Sequence, residues 1–406
     1  MEEFERRIES FIKYLDTAFS PKPFESITEE RRKKLLESKE LFQVPYVEAI
    51  PKYQPSTISP HGGFSTITRS LNPKMQTIFD DAMKQGLFYG LGKNKLYTHQ
   101  VEMLERVVEQ KMHGLITSGT GSGKTESFLS PIILHIFKEL YQEGQKYSAP
   151  SLHDRAKDWW IDVKNTGLLP PNVNTVDIEN HQKTCKKGKQ SPHVSYQETV
   201  STPQRIDGLR ALVMYPMNAL VEDQLRRLRM ALDSKEMHDI YQNACEGHTP
   251  RFGKYNGKTI GGTRKPDHKS FDRNQKEMYR EIYEPFQQMY QAIEGVTNPP
   301  DIGYHFSNTN KHGESNEDAF TVPSPWGCET RNRWDIHGHV PDIMVTNTSM
   351  LSIMLMRNFD GIVWEKTAKY LDSSESARFH LVIDELHLMR SGPGSSNALL
   401  IRMLLE

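Results

Sequence analysis

Cysteine is scarce in this chain, with three residues (Cys185, Cys245 and Cys328) among 406. They lie far apart, so neither a disulfide framework nor a zinc site built of four cysteines is expected. A reducing cytoplasm fits that usage best. Long apolar runs are missing too. None approaches the roughly 18 residues of a membrane span, and the acidic start Met1-Glu2-Glu3-Phe4-Glu5-Arg6 has no apolar signal segment. An excess of one charge is also lacking. The 51 basic and 52 acidic residues leave a formal charge of −1, which excludes a polybasic protein but still permits a local basic groove. Hydrophobic residues make up 36%, below the usual share of about 45–50%. A true core interrupted by long polar insertions is therefore expected. No internal repeat is present.

The pattern divides the chain at about residue 95. Residues 1–95 read as a helical N-terminal region. Phe4, Ile8, Phe11, Ile12, Leu15 and Phe19 form one apolar stripe that Pro21 and Pro23 end. Glu29 to Lys39 reads as a charged, solvated helix, and the proline- and glycine-rich stretch 51–73 as a loop. From residue 96 the texture changes. Val101, Leu104, Val107 and Val108 share a helix face. The apolar run Gly114-Leu115-Ile116-Thr117 predicts a strand, followed by a glycine-rich turn and a helix with Phe128, Ile132, Ile133, Ile136, Phe137 and Leu140 on its face. Pro131 should kink that helix unless it falls in the first turn. Further strands are predicted at 209–215, 342–346 and 379–383. A helix faced by Leu220, Leu225, Leu228 and Leu232 follows the first of these, and a last helix starts near Ser395. Strands alternating with helices specify an α/β fold with a parallel sheet. Blocks 141–207 and 235–340 lose periodicity and read as surface insertions.

Two motifs carry chemistry. Ser118-Gly119-Thr120-Gly121-Ser122-Gly123-Lys124-Thr125 lies between a predicted strand and a helix. Its glycines let backbone N–H groups wrap a triphosphate, and the helix N-terminus favours anionic oxygens. Lys124 can reach the β- and γ-phosphates, and the Thr125 hydroxyl can hold Mg²⁺. The strict phosphate-loop pattern fails only at its first position, where Ser118 replaces glycine. Leu381-Val382-Ile383-Asp384-Glu385-Leu386-His387 is an apolar strand ending in two carboxylates. Asp384 can orient Mg²⁺, Glu385 can activate a water, and His387 can link the nucleotide site to its neighbours.

Together these motifs resemble a superfamily 2 DEAD/DEAH-box helicase, which implies a RecA-like first lobe over 96–406 that binds ATP and Mg²⁺. Leu96-Tyr97-Thr98-His99-Gln100 resembles the family's glutamine motif, implying that Gln100 contacts adenine. Tyr215-Pro216-Met217-Asn218-Ala219-Leu220 resembles motif Ia. Thr346-Asn347-Thr348-Ser349-Met350-Leu351 resembles motif Ib. The resemblance implies that Pro216, Asn218, Thr346, Asn347 and Ser349 grip a nucleic acid backbone, DNA ahead of RNA. A helix N-terminus capped by Thr348 or Ser349 would bind phosphate without reading sequence; ordinary helix capping is the competing reading for Thr346, Asn347 and Ser349. Met389-Arg390-Ser391-Gly392-Pro393-Gly394-Ser395 and Gly253-Lys254-Tyr255-Asn256-Gly257-Lys258-Thr259 are similar to segments of large bacterial MrfA-type helicases and their relatives in phage-defence systems such as DISARM. That implies a bacterial cytoplasmic setting, phage defence or DNA repair, and defence or repair proteins as partners.

Lys124 and Glu385 lie 261 positions apart, and the two polar blocks supply the excess. The basic cluster Lys183, Lys186, Lys187 and Lys189 reads as a solvated loop, and the His181–Cys185 pair is too sparse for a metal site. The sequence ends 19 residues after His387, so a second RecA-like lobe is expected from further C-terminal sequence or a partner chain. Alone, this chain is expected to hydrolyse ATP poorly and not to unwind DNA. The alternatives are a nucleic-acid remodeller that translocates without unwinding, and a non-catalytic ATP- or DNA-binding scaffold.

Overall fold

The structure, a computed structural model, describes residues 9–15, 25–37, 52–59, 63–91, 95–119, 121–149, 205–216, 218–262, 307–308, 320–321, 323–324, 327–388 and 391–405. The chain divides into two compact units, Met1–Lys52 and Tyr53–Glu406. In the first, 9–15 is helical (α1), which covers the middle of the expected apolar stripe, with Ile12 buried. Helix α2 (Glu25–Glu37) is almost wholly polar, as the charge pattern requires, and Arg31 donates to the Leu15 carbonyl.

The second unit holds a five-stranded sheet in the order β3-β2-β4-β1-β5. The strands are β1 (Ala211–Tyr215), β2 (Phe252–Tyr255), β3 (Glu329–Thr330), β4 (Ile343–Asn347) and β5 (His380–Ile383). Every pairing is parallel. Side chains alternate across the pleat. Ala211, Val213 and Tyr215 therefore join one apolar core, while Leu212 and Met214 join another on the opposite face. Burial on both faces explains why β1 reads as an unbroken apolar run.

The first core is filled by α3 (Pro73–Gln85), α4 (Thr98–Val108), α5 (Lys124–Gly144), α6 (Asn218–Leu232) and α7 (Lys235–Ala244). Leu225, Leu228 and Leu232 of α6 are buried, as their spacing predicts. The proline-rich stretch also contributes to this core through Ile58, Phe64, Ile67 and Leu71. On the other face lie α8 (Arg333–Gly338), α9 (Thr348–Met356) and α10 (Gly361–Asp372). Helix α11 (Ser391–Leu405) begins four residues earlier than the pattern suggested. Pro393 falls in its first turn, where a missing N–H costs nothing.

One local expectation is corrected. Gly114-Leu115-Ile116-Thr117 is not a strand: residues 111–119 are irregular and Leu115 is 76% exposed. A strand exists only through a ladder partner, and among the described residues β5, the sheet's edge strand beside β1, pairs with β1 alone. Pro131 lies inside helix α5, beyond its first turn. The Ser127 carbonyl, which lost its helical donor to proline, accepts the Ser130 hydroxyl at 3.4 Å.

Residues 150–204, most of the first polar block, and 263–306, less than half of the second, lie outside the described residues, as do His181, Cys185 and the 183–189 cluster. The described part of the second block is no surface insertion, since it supplies α7, β2, β3 and α8 to the fold. No helix among the described residues is long and apolar enough to cross a membrane.

Candidate nucleotide site

The sheet register aligns the carboxyl ends of three strands. Tyr215 of β1 stands beside Asn347 of β4, and Met214 beside Ile383 of β5. The residues leaving these ends are Pro216, Thr348 and Asp384. In an open parallel sheet this edge is where ligands bind.

The glycine loop reaches the first turn of α5 in the conformation its sequence demands. Gly121 and Gly123 both take φ +74°, and Gly123 is the N-cap of the helix. At this φ an L side chain is strained, and a Cβ on Gly123 would also strike the Gln100 amide. Gly121 faces open space and Gly119 sits under the Tyr53 hydroxyl, 2.7 Å from where a Cβ would lie. Ser118 does more than tolerate the glycine position, because its hydroxyl meets that of Ser122 at 2.6 Å and closes the loop. Thr120 lies outside the described residues. Lys124 opens the helix, and Thr125 follows, buried.

Gln100, at the start of α4, is buried and tied to this loop. Its Nε2 donates to the Gly123 carbonyl at 3.2 Å, and its Oε1 accepts from Tyr97 N at 2.9 Å. His99 Nε2 lies 2.8 Å from the Ser122 carbonyl. Tyr97 and His99 stack at 5.6 Å between centroids, and Tyr53 approaches both rings. Gln100 and His99 thus hold the glycine loop through backbone carbonyls, with an aromatic cluster beside it. Tyr53 has no recognisable signal in the sequence, since its 65-residue separation from Ser118 is bridged only by tertiary packing.

Asp384 leaves β5 with its N–H donating to the Met214 carbonyl at 3.0 Å, an extension of the sheet ladder. Burial raises its pKa above the ordinary carboxylate value, and the Glu385 charge adds to this, while the Glu385 N–H, Lys124 and Arg227 oppose it. Lys124 and Asp384 therefore feel each other across the site. Glu385 takes φ +50°, strained for a residue with a side chain, and such strain clusters at functional positions. His387 is exposed, and its Nδ1 lies 3.1 Å from the Glu385 carboxylate.

Arg227 is a residue the sequence reading passed over. From α6 it meets Glu126 Oε1 of α5 at 3.1 Å and Asp223 Oδ2 at 3.2 Å, and its charge reaches Asp384. The Asp223–Arg227 spacing of four was legible as a helix pair; the link to Glu126 was not.

The motif Ia and Ib residues divide. Pro216 is half-buried at the end of β1, and Asn218 opens α6. The Thr346 hydroxyl is fully buried and donates to the Tyr255 carbonyl at 2.7 Å. The cap of α9 is Asn347, whose Oδ1 accepts from Met350 N at 2.8 Å; neither Thr348 nor Ser349 takes that role. Asn347 has the extended backbone that a cap requires, whereas Thr348 is already helical. Ser349 is exposed on the first turn.

This donor set fits a nucleoside triphosphate with Mg²⁺. Left-handed glycines and a helix N-terminus suit phosphate oxygens. A hydroxyl and a carboxylate are hard oxygen donors of the kind Mg²⁺ prefers, and a cation would relieve the unfavourable burial of the Asp384 charge.

Comparison with known proteins agrees with this geometry. Residues 97–252 match the DEAD/DEAH box helicase family model. The chain is also similar to Druantia protein DruE of Escherichia coli (strain UMEA 4076-1), with 27% identity over 421 aligned positions. That alignment takes in 98% of this chain and 19% of the relative, so the chain spans about a fifth of the length of the curated relative it matches. The parallel sheet and the match over residues 97–252 thus make this part of the chain similar to DEAD/DEAH box helicases.

Proposed function

We propose that this chain is the ATP-binding part of a DNA helicase or translocase, and that it couples nucleotide turnover to movement once a second RecA-like lobe closes on it. What supports the reading is Asp384 leaving the carboxyl end of β5 beside β1, with the Lys124 charge at the start of α5 acting on it. Backbone N–H groups of residues 119–123 and Lys124 bind the triphosphate. Gln100 holds the loop from behind and is the residue offered to adenine. Mg²⁺, held by Thr125 and Asp384, neutralises phosphate charge when bound. Glu385 orients and deprotonates the attacking water. Its partner His387 stands where it can report the nucleotide state to neighbouring segments.

The nucleic acid grip belongs to the same edge. Helix α9 presents its N-terminus and the exposed Ser349 beside Pro216 and the start of α6 at Asn218, an arrangement suited to backbone phosphate. The buried Thr346 acts through β4, by holding the Tyr255 carbonyl. Asn347 acts by shaping the turn. The motif resemblance to MrfA-type and DISARM helicases supports a setting in phage defence or DNA repair, with further proteins of such systems as partners.

The test is binding of a fluorescent ATP analogue with Mg²⁺ to the chain, to Lys124→Ala and to Glu385→Gln, with and without single-stranded DNA. Loss of Lys124 should weaken binding at least tenfold, about 1.4 kcal/mol. Glu385→Gln should bind as the parent does, yet abolish any DNA-stimulated hydrolysis. Equal binding by the parent and Lys124→Ala would overturn the reading.

A further inference from the structure

A second cluster lies away from the nucleotide site. Asp233 follows the last residue of α6, His238 sits one turn into α7, and Cys328 precedes β3. All three are buried. One donor atom from each lies within 4.8 Å of the others. His238 Nε2 is 2.8 Å from Asp233 Oδ1 and 3.8 Å from Cys328 Sγ. The Cys328 N–H donates to the same Asp233 oxygen at 2.8 Å, fixing the carboxylate.

The surroundings are built for this arrangement. Ser234 caps α7 and accepts from Met237 N at 3.3 Å, which sets the turn that brings His238 back over Asp233. Gly327 leaves the space that the Asp233 carboxylate occupies; a Cβ there would collide with it. The Tyr241 ring stands edge-on to the imidazole at 5.7 Å. Beside the cluster, Arg229 forms a two-pronged pair with Glu329 at 2.6 and 3.0 Å and donates to the Phe320 and Thr321 carbonyls.

We infer that Asp233, His238 and Cys328 form a structural zinc site. A thiolate, an imidazole and a carboxylate are each ligands that Zn²⁺ accepts in tetrahedral coordination. Around such a centre, ligands at about 2.0 Å (nitrogen, oxygen) and 2.3 Å (sulfur) stand about 3.3–3.6 Å apart. The nitrogen–sulfur pair at 3.8 Å must close by about 0.2 Å, and the nitrogen–oxygen pair at 2.8 Å must open by about half an ångström. The fourth position falls to Asp233 Oδ2 or a water. Charge also balances: one dication, one thiolate, one carboxylate and a neutral imidazole sum to zero. A site of zero net charge can be buried, where an isolated ion is costly. The cluster ties the α6–α7 turn to the edge strand β3, at the opposite edge of the sheet from β5. The tie spans 95 positions of sequence, and it has no part in phosphate chemistry.

The experiment is elemental analysis of the untagged chain purified without chelator from zinc-supplemented growth, together with spectroscopy of the cobalt-exchanged protein. The parent chain should carry about one zinc per chain. Its cobalt form should show tetrahedral d–d bands and a sulfur-to-metal charge-transfer band. Cys328→Ser should lose the charge-transfer band and most of the metal, and Cys245→Ser, which alters a buried thiol outside the cluster, should keep both. A metal-free parent chain overturns the inference, and so does a cobalt spectrum without the sulfur band. Because these readouts use the parent chain, a Cys328→Ser variant that fails to fold does not protect the proposal. Full zinc content in a folded Cys328→Ser variant overturns it as well.

Discussion

Gly123 concentrates the demands of the phosphate loop in one residue. It needs φ +74°, caps α5, accepts the Gln100 amide on its carbonyl, and leaves no room for a methyl group. Replacement by alanine should therefore cost stability through strain of about 1–2 kcal/mol. It should also displace Gln100 and weaken Mg²⁺–ATP binding by more than tenfold. Isothermal titration and a denaturation midpoint measured on Gly123→Ala separate the two effects; binding equal to the parent's would sink the argument. Ser118 teaches a related lesson. A departure from the strict motif looked like a tolerated loss, yet its hydroxyl makes a bond that glycine cannot.

Helix α9 shows how an element settles which of several polar residues does what. Four hydroxyl or amide residues in a row, Thr346 to Ser349, look interchangeable in sequence. The end of β4 assigns them: Thr346 points into the sheet, Asn347 caps, and Ser349 faces outward. Asn347→Ala should lower stability by about 1 kcal/mol, the usual worth of a cap. Ser349→Ala should leave stability within about 0.5 kcal/mol but weaken single-stranded DNA binding. Urea melts and fluorescence anisotropy on the two variants check both statements; a stability loss at Ser349 equal to that at Asn347 would reverse the assignment. The helices read correctly from spacing because a buried stripe repeats every 3.6 residues, as in α6. The run 114–117 misled because strand propensity has no meaning without a neighbouring strand.

At the scale of the molecule, one polar seam joins the sheet edge to the first core. His380 on β5 lies against His135 of α5 (Nε2 to Nδ1, 3.1 Å), and Tyr370 and Arg210 meet Glu139 nearby. Burial, with the His135 and Arg378 charges, pushes the His380 pKa down from 6.5 to about 4. The unfolded chain thus binds a proton that the folded chain refuses between about pH 6.5 and 4, so stability falls as pH falls through that window, by up to about 3 kcal/mol. Glu139 behaves differently. Burial alone would raise its pKa, but the His135 bond and the Arg210 and Arg205 charges outweigh burial and hold it well below the carboxylate range. Its contribution is present above the ordinary carboxylate pKa and is lost only in stronger acid. The parent and His380→Leu compared by denaturation between about pH 7 and 5 read the histidine's share, and the variant should show the flatter slope. An unchanged slope would refute this.

Much of the candidate nucleotide site was legible because its parts are local: the glycines, Lys124 and Thr125 are contiguous, and Asp384 and Glu385 end one apolar run. The parallel arrangement was legible in β1, β4 and β5, whose apolar runs alternate with helical stripes, but not in β2 and β3, which lie in a block that read as a surface insertion. Tertiary structure alone decided which residues from distant segments meet. Arg227 joins Glu126 across 101 positions, Tyr53 covers Gly119, and Asp233, His238 and Cys328 converge over 95. It also decided that 114–117 stays out of the sheet. The physical reason is the range of the forces: backbone torsions and side-chain periodicity act within a few residues and are written in the sequence. Strand partners, buried ion pairs and donor clusters depend on register and packing, which exist only once the chain has folded.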